Sequence, residues 1–424
     1  MKVLLIGSGG RENAMAWAIS KSPLLDKLYT LPGNAGTSNI SERVPMSVLD
    51  VEGIVDFAKK NQIDLVVVGP ESPLIIGLAD SLKEANIPVF GCSKLAAQME
   101  GSKIFAKELM LSSGIPTAFC EVFNNSSDAI KYIDEVASKS GSPVVIKADG
   151  EAAGKGVYVC TNIEDAKKAV VDIIDNKIFG KSGDNLIIEE YLDGQETTVL
   201  SFVDGEDFYV MPASQDYKRA YDNDEGLNTG GMGCYSPVPV FDDEKKTFVV
   251  ENIIKKTLKA LKDRGINYQG VLYTGLALTS KGPKVIEYNV RFGDPETQVI
   301  LPLMESDFLE VCNAVAHGKL KDMDIKFKDT KAMAVVMASG GYPGDYVKGY
   351  EITGIDEAEN SGAIVFHAGT ENKDNKIVTT GGRVLNVTVL GDTYKECIDK
   401  VYKSVEKIDF KDKHYRLDIG KRLL

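Results

Sequence analysis

Residues 143–159 read PVVIKADGEAAGKGVYV, with Lys147 and Lys155 on either side of a loop that holds Gly150, Gly154 and Gly156. Glycines let the backbone take φ > 0 and bring its N–H groups close to an anion, and the two ammonium groups add charge, so the loop suits a phosphate. It is not a Walker loop, because no GK[ST] sequence opens a helix here. A second cluster lies in KVIEYNVR, residues 284–291. In an extended strand, side chains two apart share a face. Glu287, Asn289 and Arg291 then point one way, and Ile286 and Tyr288 the other. A carboxylate and an amide oxygen on one face suit Mg²⁺ bound together with nucleotide phosphates. The neighbouring arginine can neutralise charge on a transferring phosphoryl group. A third run, LIIEEYL at 186–192, reads as a strand ending in the carboxylates of Glu189 and Glu190.

These residues need a scaffold. Val144-Val145-Ile146 and Val157-Tyr158-Val159 predict the two strands of a hairpin around the glycine loop. Taken alone, such a hairpin is better read as a solvated turn with two ordinary surface lysines; the matching parts downstream shift the balance. Lys2-Val3-Leu4-Leu5-Ile6 is an unbroken apolar run, as in a buried parallel strand. Gly7-Ser8-Gly9-Gly10 follows, then a helix from Arg11 to about residue 20. The start of that helix is a ready anion site, unless the glycines only shape a tight turn. A dinucleotide fold is excluded on two counts: Glu12 stands where the fingerprint needs glycine, and the second strand, 27–30, ends in no acid for a ribose. Strands at 64–68 and 88–90 complete a small doubly wound parallel sheet. Ligands of such sheets sit beyond the carboxyl ends of the strands. Glu71 and the Asn34-Ala35-Gly36 turn are therefore placed to meet the same ligand as Gly9.

Ser102 is a candidate N-cap for a helix to about 112, with Lys103 in its first turn, a poor place for a cation unless an anion compensates. Amphipathic helices at 127–140 and 164–175 would pack on the hairpin strands. Residues 215–233 are polar and glycine-rich, as in a long binding loop. A helix at 248–264 precedes a strand at 270–278 that pairs with the metal-bearing one. Beyond Lys319 come strands at 333–338, 364–367 and 384–390 and a last helix from about 393, a compact α+β domain in which Arg383 reads as a structural turn residue.

A chain of 424 residues predicts about three domains, and 43% hydrophobic content is enough for sizeable cores. No apolar run approaches the ~20 residues that span a bilayer, so a cytoplasmic chain with no membrane partner is expected. The six cysteines include no pair within four residues of each other, and three histidines stand far apart; reduced, buried thiols are expected, and no histidine-based metal site. A net charge of −13 argues against nucleic acid as a partner.

Lys147, ADGEAAGKGV, IIEEYL and E-x-N-x-R together resemble the ATP-grasp ligases. GSGGRE, GPESPL, EGSKIFAK, GIPTA, QDYKRAYDNDEGLNTGGMGCYSP and NVRFGDPETQ narrow the resemblance to the phosphoribosylamine–glycine ligase family. It is dense from Met1 to about Leu303 and looser to the end. The implied architecture is α/β and α+β multidomain. A doubly wound domain spans 1–101, an ATP-grasp domain spans 102–320 with a mobile nucleotide-gripping subdomain at about 120–192, and an α+β domain spans 321–424. The implied reaction joins glycine to 5-phosphoribosylamine with ATP and Mg²⁺ or Mn²⁺, through glycyl phosphate, in purine biosynthesis. Another carboxylate–amine ligase or a non-catalytic nucleotide-binding module are the alternatives. A monomer is expected.

The resemblance assigns Arg291, Lys155 and Asp294 to catalysis, with Asp294 holding the glycine ammonium unless it is a helix N-cap. It assigns the nucleotide to Lys103, Lys147, Gly154, Gly156, Glu189, Glu190, Tyr191, Leu192, Glu196, Arg219 and Asn228, with the backbone of 189–192 reading adenine and Glu190 or Glu196 the ribose. Gly9, Gly10, Arg11, Glu71, Asp216 and Lys218 fall to the substrates, and Glu287 and Asn289 to the metal. Three residues depart from the family pattern: Asn13 and Tyr217 stand where histidine is usual, and Glu151 where an apolar residue is. Because the chain is acidic, local cations, backbone N–H groups and the metal must hold these anionic ligands against the global field. Lys155→Ala is expected to slow phosphoryl transfer more than it weakens ATP binding; an unchanged kcat in single-turnover measurements would contradict that role.

Overall fold

The computed structural model describes residues 1–140, 143–150 and 156–424, and the side chains of all of these but 137–140. The first sheet consists of β1 (Lys2–Gly7), β2 (Lys27–Pro32), β3 (Glu42–Arg43), β4 (Leu65–Val68) and β5 (Val89–Phe90), all parallel, in the order β3-β2-β1-β4-β5. Strand order reverses between β1 and β4, and there the turns Gly7-Ser8-Gly9 and Gly69-Pro70-Glu71 leave the sheet. A crevice at that reversal is the expected ligand position of a doubly wound sheet. The apolar run of β1 has both faces buried. Leu4 and Ile6 enter one core with Val66 and Val68, whereas Val3 and Leu5 enter a second core with Leu65 and Val67. That second core is completed from far along the chain by Val299, Ile300, Leu303, Phe308 and Leu309.

A separate antiparallel sheet follows: β6 (Cys120–Phe123), β7 (Val144–Ala148), β8 (Val157–Cys160) and β9 (Leu186–Glu190), in the order β6-β9-β7-β8. Helices Ser126–Ser140 and Ile163–Val170 cover it, the latter running on into one π-helical turn, Val171–Asp175. This lobe has a hydrophobic core of its own, with Ile133, Ile146, Ile173, Leu186 and Ile188 at its centre.

The chain then builds β10 (Gly194–Asp204), β11 (Asp207–Val210), β16 (Gln269–Thr279) and β17 (Gly282–Asn289), antiparallel, in the order β11-β10-β16-β17. On β17 the alternation expected of residues 284–291 is interrupted. Gly275 faces Glu287 while Leu276 faces Val285, so Ile286 is an extra residue, a bulge. Bulges re-aim side chains and recur next to active sites. Here Ile286 and Glu287 both line the cleft described below, while the Tyr288 hydroxyl turns away to Thr257 Oγ1 at 2.6 Å. Arg291 lies beyond the strand's end.

Residues 215–233, expected to be irregular, instead form short strands: β12 (Gln215–Asp216), β13 (Arg219–Tyr221) and β14 (Glu225–Asn228), followed by β15 (Gly233–Ser236). β13 pairs β14, and β12 and β15 join the carboxyl-terminal sheet with β18 (Lys331–Ser339), β19 (Ile364–His367), β22 (Arg383–Gly391) and β23 (Lys413–His414). A β20 (Thr370–Lys373)–β21 (Lys376–Thr379) hairpin stands apart, and helix Tyr394–Val405 packs on the sheet. The order is β12-β15-β18-β22-β19, so this sheet continues across residue 320 into the preceding segment.

β19 is an edge strand, and an edge leaves backbone groups without strand partners. The first domain supplies them. Asn13 Oδ1 accepts from His367 N at 2.7 Å, and Asn34 Nδ2 donates to His367 O at 2.8 Å. Asn13 thus serves domain docking rather than a substrate pocket. Gly36 lies against the His367 ring so closely that a Cβ there would come within 2.7 Å of it. Burial holds the His367 imidazole down, to about 4. The unfolded chain therefore binds a proton between pH 6.5 and 4 that the folded chain does not, and this stability, present above pH 6.5, is lost as pH falls through that window. Its full size is on the order of 3 kcal/mol. Urea titrations from pH 7 to 4 should show a steeper loss of stability for the native chain than for His367→Phe; parallel curves would refute it.

Candidate active site

A cleft of about 960 Å³ opens where the sheets converge. Its walls include Gly9 and Glu71 of the first domain, Lys147 and Gly156 of the hairpin lobe, and residues 189–192, where β9 ends and the chain leaves that lobe. They also include Glu287, Asn289 and Arg291, and Tyr342, Tyr346 and Arg383 of the last domain. A shallower hollow of about 620 Å³ beside Gly354 and Lys407 is open to solvent and far from these groups.

Glu287 makes no hydrogen bond or ion pair among the described residues. Burial alone would raise its pKa, but Lys218, Lys147, Lys103 and Arg291 outweigh that and hold it below the usual carboxylate range. An ionised carboxylate left unpaired among four cations is a group prepared for a further ligand. Asn289 lies two residues further on, and its Oδ1 accepts from Arg291 Nη2 at 3.2 Å. Among the described residues no cluster of three or more His, Cys, Asp or Glu groups could enclose a metal alone. Two protein oxygens fit Mg²⁺, which takes its remaining ligands from phosphates and water.

Arg291 is clamped by Glu71 Oε2 at 3.0 Å and Glu100 Oε1 at 2.9 Å. The other oxygen of Glu100 accepts from Val290 N at 2.8 Å. Burial pushes Glu100 up, to about 7, against the opposing pull of Arg291, whereas at Glu71 Arg291 and Arg11 overcome burial and lower the pKa. Glu100 was absent from the sequence-based site, although it opens the EGSK motif.

Lys147 Nζ lies 3.0 Å from Glu189 Oε2 and donates to Ile286 O at 3.3 Å. Lys107 approaches the other oxygen of Glu189 at 3.3 Å and donates to Thr117 Oγ1 at 2.7 Å. Burying a lysine is costly unless it is paired, and this Lys–Glu–Lys arrangement pairs both. Lys107 also lines the cleft. Its signal was available: it lies four residues after Lys103 on the helix Lys103–Ser112, hence on the same face. Ser102 caps that helix by accepting from Phe105 N at 3.1 Å, and Lys103 Nζ donates to Gly150 O at 2.8 Å. Of the two carboxylates considered for a ribose, Glu190 is engaged by Lys284 at 2.7 Å and by Phe119 N at 3.2 Å. Glu196 faces the cleft unpartnered among the described residues; burial, Asp216 and Glu287 together push its pKa up against Lys218 and Lys147. Tyr191 and Leu192 line the cleft with Gly156. Lys155, Gly154 and Glu151 lie outside the described residues.

On the opposite wall the helix start expected to bind an anion is already occupied. Glu12 Oε2 accepts from Gly9 N at 2.6 Å, and Asp294 Oδ2 accepts from Arg11 N at 3.1 Å. Gly10 packs on Gln298 instead of facing the cleft: a Cβ there would lie 2.6 Å from Gln298 Nε2. Arg11 is committed as well, to Glu12 at 2.5 Å and Phe292 O at 3.0 Å. Asp294 does not cap its own helix; Glu296 holds the N-cap position of Thr297–Leu303. Asp294 accepts from Gln298 Nε2 at 2.8 Å and pairs with Arg383 at 3.2 Å. Arg383 also donates to Gly230 O and Asp294 O, each at 2.7 Å, and so ties the NTGGMG turn to the RFGDPE turn.

Asp216 and Lys218 meet at 2.9 Å on the cleft wall, and Asn228 lines it too. Burial would lower Lys218, but Asp216 raises it well above the ordinary lysine value. Arg219 is not on that wall; it donates to Gly226 O at 2.8 Å within its own hairpin. Tyr217 points away from the cleft as well. Residues 342–344 also line the cleft, with Tyr342 among them.

Comparison with known proteins agrees across the length of the chain. Residues 1–100 match the family model for the phosphoribosylglycinamide synthetase N domain, 101–297 its ATP-grasp (A) domain, and 332–422 its C domain. A phosphoribosylamine–glycine ligase of Caldanaerobacter subterraneus subsp. tengcongensis is 47% identical over 420 residues, 99% of each chain. One from Vibrio cholerae is 44% identical over 427 residues, covering 100% of this chain and 99% of the other. The crystal structure of phosphoribosylamine–glycine ligase from Thermotoga maritima superposes with a TM-score of 0.85 at 36% identity, over 99% of this chain and 100% of that one. A biotin carboxylase domain from Hydrogenobacter thermophilus shares the fold alone, with a TM-score of 0.73 at 17% identity over 97% and 91% of the two chains. With all three domain models matched in order and relatives this similar end to end, the chain belongs to the phosphoribosylglycinamide synthetase family, the phosphoribosylamine–glycine ligases.

Proposed function

We propose that this chain joins glycine to 5-phosphoribosylamine at the expense of ATP, giving glycinamide ribonucleotide, ADP and phosphate in purine biosynthesis. The glycine carboxylate attacks the γ-phosphorus and ADP leaves. The amine of phosphoribosylamine then attacks the carbonyl carbon of the glycyl phosphate and expels phosphate. The observation that carries this reading is the unpaired Glu287 carboxylate, set among four cations on the edge that also presents Asn289 and Arg291. Such chemistry asks the protein for positioning and charge neutralisation rather than a nucleophile.

In this reading Glu287 and Asn289 hold Mg²⁺ or Mn²⁺, which supplies charge neutralisation on the phosphates. Lys103, Lys147 and Gly156, with Lys155 and Gly154, grip the phosphates, and the 189–192 backbone takes the adenine. Glu196 is the carboxylate for the ribose, since Glu190 is engaged by Lys284. Arg291 meets the transferring phosphoryl group, and Asp294 orders the glycine end through the Arg383 contact. Gly9, Glu71, Asp216 and Lys218 face the substrates. The organisation is an N-terminal unit at 1–101, an ATP-grasp unit at 102–320 and a C-terminal unit at 321–424. The lobe at 120–192 closes over the nucleotide, which keeps water from the acyl phosphate. A monomer acting in the cytoplasm is part of the same proposal; among the described residues no helix is long and apolar enough to cross a membrane.

The test is ADP release in a coupled assay with phosphoribosylamine generated in place. Turnover should require glycine and phosphoribosylamine together; release with a different carboxylate or amine instead would point to another ligase, and ATP binding without release to a nucleotide-binding module. Glu287→Gln removes the charge and keeps the shape. It should lower kcat at least a hundredfold and abolish the rise in melting temperature produced by MgATP, while the free protein melts within about 2 °C of the native chain because no described partner is lost. Near-normal turnover at ordinary Mg²⁺ would refute the assigned metal edge.

A further inference from the structure

Tyr217 stands between Asp216 and Lys218 in an extended segment. Tyr217 N donates to Gly233 O at 3.0 Å, Met232 N donates to Tyr217 O at 2.8 Å, and Thr229 N donates to Lys218 O at 2.7 Å. Alternation in such a segment sends neighbouring side chains to opposite sides. Asp216 and Lys218 face the cleft, and Tyr217 is buried behind them against the end of the chain. Its hydroxyl accepts from Gly420 N at 2.9 Å, and the guanidinium groups of Arg422 and Arg416 lie 3.9 and 4.8 Å from its ring centre.

Arg416 has no solvent exposure. One guanidinium nitrogen donates to Arg219 O at 3.1 Å and Asp224 Oδ1 at 2.9 Å, and the others donate to Asp418 at 2.8 and 2.7 Å. More bonds run along the same seam. His414 Nε2 lies 2.7 Å from Ala220 O, Leu417 N donates to Asp222 Oδ1 at 2.7 Å, and Asn223 N donates to Asp418 Oδ2 at 2.9 Å. Tyr402, on the last helix, holds the segment from behind: its hydroxyl donates to Arg416 O at 3.0 Å and accepts from Ile419 N at 2.9 Å.

A segment that needs only to be tied down can use apolar packing. A fully buried arginine is costly and persists where its hydrogen bonds are all met. Here two of those bonds end on the Arg219 carbonyl and the Asp224 carboxylate of the segment that presents Asp216 and Lys218 to the cleft, and the other two on Asp418 of its own stretch. We propose that residues 413–422 are a positioning element of the active site, and that Arg416 and Tyr217 are positioning residues that set the Lys218 ammonium and the Asp216 carboxylate at the cleft wall. As a statement about catalysis this rests on the ligase reading above; as a statement about the segment it does not. Lys218 has little freedom of its own: its ammonium is bound to Asp216, so its place is the place of the strand, and the strand is held by the chain end.

The experiment pairs hydrogen exchange, read by mass spectrometry on the full-length protein, with steady-state kinetics for Arg416→Gln, Arg416→Lys and Tyr217→Phe. Arg416→Gln should speed exchange across 217–232 at least tenfold with exchange in β10 and β16 unchanged. It should lower kcat more than tenfold with the KM for ATP within twofold, and Arg416→Lys should recover part of both. Tyr217→Phe, which removes only the hydroxyl, should act in the same direction by a few fold, and it carries the test if Arg416→Gln does not fold. Unchanged exchange over 217–232, or an equal rise throughout the molecule, would overturn the proposal. So would normal kcat in variants whose exchange has risen. A native chain that releases no ADP with glycine and phosphoribosylamine would sink the ligase reading, and exchange would then decide the role of the chain end alone.

Discussion

The structure depends on a charge problem solved locally. The chain carries a net charge of −13, yet the cleft is walled with cations. Most are fixed by a carboxylate: Lys147 and Lys107 share Glu189, Lys218 has Asp216, Arg291 has Glu71 and Glu100, and Arg383 has Asp294, while Lys103 donates to the Gly150 carbonyl. Desolvated ammonium and guanidinium groups cannot stand alone. Pairing keeps them charged and holds their positions before any ligand arrives, which is the preorganisation that electrostatic catalysis requires. Glu287, like Glu196, is a carboxylate with cations near it and no described side-chain partner, and the reading proposed above puts the metal at Glu287.

The same pairs join the parts of the molecule. Glu71 leaves β4 of the first sheet, Glu100 sits just before the ATP-grasp segment, and Arg291 follows β17, so one guanidinium ties three stretches distant in sequence. Arg383 does the same for the last domain by reaching Gly230 and Asp294. Cleft geometry and domain arrangement are therefore not separable properties.

Much of this was legible from the residues. The β1 run, the glycine hairpin, the β16–β17 pair and the Ser102 cap follow from apolar periodicity and capping chemistry, which act over a few neighbours. What was not legible came from long-range partners. The helix start at Gly9 looks like a free anion site until Asp294, nearly three hundred residues on, takes the Arg11 N–H. Arg219 belongs to a binding motif by position, yet its guanidinium closes its own hairpin. The bulge at Ile286 shifts a face that strict alternation would have placed otherwise. Asn13 and Tyr217, departures within substrate motifs, both turn out to brace domain contacts. Lys107 and Glu100 were within reach, by helical spacing in one case and motif adjacency in the other.

The two-sided burial of β1 bears on how the chain is made. The face carrying Val3 and Leu5 meets Met15 and Ile19 of helix Gly10–Ile19 early in the chain, but the rest of its core, Val299, Ile300 and Phe308, lies nearly three hundred residues on. During synthesis from the ribosome that core stays incomplete until Phe308 has emerged, a period in which its exposed apolar surface can stick to other nascent chains. The hairpin lobe, whose core is its own, has no such wait. The first sheet is thus finished later than a lobe that follows it in the chain.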